Sequence, residues 1–60
     1  MEELFAILED VATAVVTAKL SAGIGDTSNA LYNVDHAEIN LMRARNILVG
    51  IIHGGETLND

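Results

Sequence analysis

Two stretches of this chain repeat apolar residues at helical spacing, and both apolar arcs are too wide for a single two-helix layer to cover. That excess governs what the chain can become. In the first stretch Leu4, Ile7, Leu8, Val11, Ala14, Val15, Ala18 and Ala22 recur at steps of three and four, the period of an α-helix. Phe5, Ala12 and Val16 lie beside this row, not opposite it, so the apolar arc spans roughly 200° where a surface helix shows about 100°. Glu2, Glu3, Glu9, Asp10, Thr13 and Thr17 fill the other side.

The second stretch repeats the pattern. Val34, Ala37, Leu41, Ala44, Leu48, Ile51 and Ile52 form a row, widened by Met42 and Val49 on one edge and Ile47 on the other, with Ile39 roughly opposite. Gly50 falls within this stretch, where glycine costs about 1 kcal/mol relative to alanine. It reads either as a surface position or as a point of close backbone approach.

The punctuation between them sets the boundaries. Acids at Glu2 and Glu3 suit the start of the first helix and Lys19 suits its end, because the helix dipole favours those signs there. The pattern predicts a helix over residues 2–22. Gly23 and Gly25 can end it, since glycine adopts left-handed backbone without penalty. Asp26, Thr27 and Ser28 can each begin a helix. Asn29 and Asn33 lower helix propensity, whereas Asp35 and Glu38 have the spacing of a capping box. The expectation is therefore a loop over 23–34, with a helical turn from residue 28, then a helix over 35–53. Gly54 and Gly55 end that helix, and 54–60 form a tail.

Two helices of matched length, each about 30 Å long, joined by a short loop give an antiparallel hairpin. The fold class predicted is all-α: a single small domain of one hairpin, two of which pair into a four-helix bundle. A domain of about 60 residues buries too little surface to be secure alone, and natural chains of this size add disulfides, a metal or a second copy. There is no cysteine among the 60 residues, which removes disulfides and thiolate zinc. A homodimer remains, with Leu4, Leu8, Val11, Val15, Leu41, Leu48, Ile51 and Ile52 as its interface candidates.

Charge narrows the function classes. The formal net charge is −6, from nine acids against Lys19, Arg43 and Arg45. That disfavours a nucleic-acid partner, whose phosphates call for cations. The run from Ile47 to Ile52 is far shorter than the ~20 apolar residues that cross a bilayer, and the acidic start lacks the basic region of a signal peptide. The expectation is a cytoplasmic protein that does not bind a membrane.

No set of residues converges on chemistry. His36 and His53 lie about 25 Å apart by helical rise, so one chain cannot bring both to one metal. Glu9 and Asp10 are neighbours and diverge by about 100°. Gly23-Ile24-Gly25 is followed by no lysine and preceded by no strand, as a phosphate loop would require. No cofactor and no enzymatic activity are expected. None of the three cations has an acid three or four residues upstream. Their stems can cover apolar surface while the charged heads reach water. Alternatively, across an antiparallel hairpin Lys19 approaches Glu38, and Arg45 approaches Glu9 and Asp10. Three functions follow. One is a self-associating module acting through protein–protein interaction. Another is an acidic inhibitor of a basic nucleic-acid-binding protein. The last is an oligomer that holds an anion or nucleotide with Lys19 or Arg45.

Overall fold

The computed structural model describes residues 1–59, with side chains described through Gly54. It holds two helices, α1 (Glu2–Gly23) and α2 (Thr27–Asn59), packed against each other as a hairpin. The radius of gyration is 15.1 Å, against roughly 10 Å for a compact domain of this length. The molecule is a flat rod with principal extents of 52 × 17 × 10 Å.

The turn is much shorter than the sequence pattern suggests, and its hydrogen bonds show why. The amide of Asp26 donates to the Ser21 carbonyl at 2.8 Å and that of Gly25 to the Ala22 carbonyl at 3.1 Å. These paired bonds, with Gly25 at φ +80°, make a Schellman termination of α1. The next residue starts α2. Asp26 Oδ1 accepts from the Asn29 amide at 3.1 Å, the bond of an N-cap side chain. One residue thus closes one helix and opens the next, and only residues 24–26 separate them. The loop expected over 23–34 is helical from Thr27 onward. At the other end, α2 continues past Gly54 and Gly55 to Asn59, so the expected stop and tail give way to helix through Asn59, and Asp60 of that tail lies outside the described residues.

Helix α2 accommodates its asparagines by folding their side chains back. Asn33 Nδ2 donates to the Asn29 carbonyl and Asn40 Nδ2 to the His36 carbonyl, both at 2.9 Å. A short polar side chain satisfied within its own helix can face a packed neighbour without an orphaned donor.

The seam between the helices has a strict alternation of three and four. In α1 the buried positions are Leu4, Ile7, Val11, Ala14, Ala18 and Ser21. In α2 the buried or half-buried positions alongside α1 are Ala30, Asn33, Ala37, Asn40, Ala44 and Ile47. This is the heptad spacing of antiparallel coiled helices. Leu4 and Ile7 pack with Ala44 and Ile47, and Val11 and Ala14 pack with Ala37. The register so fixed sets Ile7 level with Ala44, Ala14 with Ala37 and Ser21 with Ala30.

The seam is thin. Among the described residues seven apolar ones are buried, and four of these are alanines. Leu4, Ile7 and Val11 supply the bulk, at about 1.5–3 kcal/mol each when fully buried. Ordering the backbone costs about 1–2 kcal/mol per residue, so such a core leaves an isolated hairpin weakly held.

Candidate interaction face

The register divides the rest of the surface into two flanks. About 100° round from the middle of the seam, α1 carries a second stripe of Met1, Phe5, Leu8, Ala12, Val15 and Lys19. The equivalent stripe of α2 is Leu31, Val34, Glu38, Leu41, Arg45, Leu48 and Ile52. Both repeat at steps of three and four, like the seam itself. In an antiparallel pair, equivalent stripes fall on the same side of the hairpin. The opposite flank proves the pairing: Asp10 and Thr13 of α1 line a shallow groove of about 300 Å³ together with Tyr32, Asn33 and His36 of α2. If those residues share one side, the two apolar stripes share the other.

The hairpin is therefore two-faced. One face is mostly apolar and bare, with Lys19, Glu38 and Arg45 set among its apolar residues. Phe5 is 65% exposed, Leu31 61% and Ile52 70%, and even Leu8, close against the seam, is 41% exposed. The other face carries Glu3, Asp10, Thr13, Thr17, His36 and Arg43. The two helices run side by side for the length of α1, 22 residues, or about 33 Å, and each is about 10 Å wide. The apolar face thus measures roughly 650 Å² in plan. Monomeric proteins seldom leave bare apolar patches beyond a few hundred Å².

The interface candidates fall into three groups. Leu4 and Val11 are buried in the seam of their own hairpin. Leu8, Val15, Leu41, Leu48 and Ile52 lie on the apolar face. Ile51 continues the seam stripe of α2 beyond the point where α1 begins, so it is exposed for want of a neighbour. Phe5, Leu31 and Val34 complete the face. They show as a stripe only once the seam is known.

The charged candidates do not meet within the chain. Lys19 and Glu38 are both exposed, each on the second stripe of its helix. The register sets Lys19 level with Tyr32, and Glu38 lies about 9 Å further along the axis. Arg45 lies level with Ala6, with Glu9 on the far side of α1. Among the described residues no ion pair joins Lys19 to Glu38 or Arg45 to Glu9. Lys19 and Arg45 stand on different helices about 20 Å apart along the axis, so they do not converge on one anion.

A small polar network lies beside the groove. Asn40 Nδ2 stands 3.2 Å from His36 Nε2, and Arg43 Nη1 donates to Asn40 Oδ1 at 3.2 Å. Near the turn, the Asn29 side-chain amide donates to the Ser21 hydroxyl. These bonds satisfy Asn40 and Ser21, the two buried polar residues among those described, and the bond between Asn29 and Ser21 links the two helices beside the turn. Gly50 has nothing within 4 Å of the place a Cβ would take, which makes it a surface position and not a point of close approach. Among the described residues no group of three or more His, Cys, Asp or Glu is placed to hold a metal. Nor is any described helix long and apolar enough to cross a membrane.

Comparison of the chain with protein-family models, curated proteins and solved structures finds no match.

Proposed function

We propose that this chain is a non-enzymatic, cytoplasmic interaction module that works as a homodimer, two hairpins closing their apolar faces into a four-helix bundle. The observation that carries this reading is the continuous apolar face formed by Phe5, Leu8 and Val15 with Leu31, Leu41 and Leu48. Two such faces together cover roughly 1,300 Å², within the range of about 1,200–2,000 Å² typical of specific interfaces. Closure gives each helix two neighbours and supplements a seam built largely of alanine.

Dimerisation would leave the acidic side outward. Glu2, Glu3, Glu9 and Asp10 line the outer and polar sides of α1, and the chain carries a net −6. This supports a protein partner with a basic surface, including a basic nucleic-acid-binding protein whose site the dimer would cover. Complementary charge of this kind speeds encounter and makes it salt-sensitive.

The test is sedimentation equilibrium over a dilution series. The chain should sediment at 12.8 kDa, twice the 6.4 kDa of one copy. The double variant Leu8→Lys/Leu41→Lys, altered on the apolar face and outside the seam, should sediment as a monomer. A 6.4 kDa parent chain at all concentrations would sink the proposal.

A further inference from the structure

Two flat hairpins can close face to face about only two kinds of two-fold axis. An axis across the helices lays α1 on α1 and α2 on α2, with the turns at opposite ends. An axis along the helices lays α1 of each copy on α2 of the other, with both turns at one end. We infer that the second arrangement is the one adopted, and that Lys19 meets the partner's Glu38 and Arg45 meets the partner's Glu9 across the interface. This rests on the dimer proposed above and adds its geometry.

Charge is the first argument. Helix α1 carries Glu2, Glu3, Glu9 and Asp10 against Lys19 alone. In α2, Asp35 and Glu38 are balanced by Arg43 and Arg45 through Gly54. Stacking α1 on itself brings the acid-rich helices together. Stacking α1 on α2 sets each acid-rich helix against one bearing arginines.

Register is the second. An axis along the helices leaves every residue at its own level, so symmetry fixes which side chains face each other. Lys19 and the partner's Glu38 are then about 9 Å apart along the axis. Side chains lean toward the N-terminus of their own helix. In antiparallel neighbours these two therefore lean toward each other. Arg45 and the partner's Glu9 are closer still, about 4–5 Å along the axis. Lys19, Glu38 and Arg45 belong to the stripes of the apolar face and Glu9 to the outer edge of α1 beside it, so each cationic stem can cover apolar surface while its charged end reaches toward its acid. The same residues that fail to meet within one hairpin converge between two.

The overhang is the third. Helix α2 has 33 residues and α1 has 22, so α2 projects past the start of α1 with Ile51 and Ile52 exposed. Turns at one end bring both projections to the other end, where the Ile51 side chains of the two copies face each other. Turns at opposite ends strand each projection alone.

Mixing charge-reversed chains tests this. Lys19→Glu and Glu38→Lys each break the proposed pair in their homodimers. In the mixed dimer one pair is restored with reversed charges and the other is native. Native mass spectrometry of an equimolar mixture should show the heterodimer rising from the statistical half to roughly four-fifths, as two pairs of modest strength imply. Spin labels on Ser28→Cys, in a chain with no native cysteine, should report a short distance between the two turns, about 20–25 Å from the helix diameters. Statistical mixing, or turns separated by the length of the bundle, would overturn the orientation while leaving the dimer standing. Monomers throughout would overturn the dimer and the orientation with it.

Discussion

Replacing Ala44 by leucine should damage this protein more than any comparable change on its surface. Ala44 is the most buried residue of the seam, 2% exposed, where Leu4, Ile7 and Ile47 already meet. Leucine adds three carbons there. The helices must part, or Leu4 and Ile7 must leave their preferred rotamers, and overpacking of this kind costs about 1–3 kcal/mol. A chain of this size has roughly 3–9 kcal/mol of stability at typical values per residue, so the loss is a large fraction of the whole. At about 4–8 °C per kcal/mol for a small domain, the thermal midpoint should fall by roughly 4–24 °C. The assay is circular dichroism at 222 nm, the standard helix band, at one fixed protein concentration, because association makes the midpoint concentration-dependent. Ala6→Leu is the control. Ala6 is exposed on α1, away from both the seam and the apolar face, and the same added carbons should change stability by less than about 0.5 kcal/mol. Equal effects of the two substitutions, or a more stable Ala44→Leu protein, would refute the assignment of the seam.

The turn makes two further predictions. Gly25→Ala forces a Cβ into φ +80° and should destabilise by about 1–2 kcal/mol, whereas Gly23→Ala, in helical backbone with open space around it, should stabilise by about 0.5–1 kcal/mol; urea midpoints compare the two. Asp26→Ala removes the acceptor for the Asn29 amide and should cost about 1 kcal/mol, seen as a lower urea midpoint that Asp26→Asn largely restores.

Both helices and their antiparallel pairing were legible in the spacing of apolar residues. The assignment of faces was not, and α2 shows why. Its seam is Ala30, Asn33, Ala37, Asn40, Ala44 and Ile47, nearly all small or polar. Ranking by hydrophobicity draws the eye to Leu41, Leu48, Ile51 and Ile52 instead, which lie on the second stripe or past the end of α1. Small residues let two backbones approach, and asparagines that bond their own helix can sit at the contact. Neither property registers as hydrophobicity. In α1 the row from Leu4 to Ala22 merged two stripes, because a helical period locates an arc without saying which edge meets the neighbouring helix. The early start of α2 was hidden for a different reason. Asn29 and Asn33 argue against helix one residue at a time, but the Schellman turn at Gly25 and the cap at Asp26 act together and override them. The charged residues followed from the faces. Lys19 and Arg45 stand out in the sequence for lacking an acid three or four residues upstream, and the hairpin does not bring them to Glu38 or Glu9.

Closure of the face carrying Phe5, Leu8, Val15, Leu31 and Leu41 by a second copy of the chain can be observed directly. Isotope-filtered NMR on a one-to-one mixture of labelled and unlabelled protein observes only contacts between copies. In the proposed dimer, cross-chain contacts should run from the Phe5 ring and the Leu8 and Val15 methyls to Leu41, Leu48 and Val34 methyls, with none from Tyr32 or His36. Cross-chain contacts centred on the Tyr32 and His36 groove, or none at all at concentrations where the face would be saturated, would contradict it.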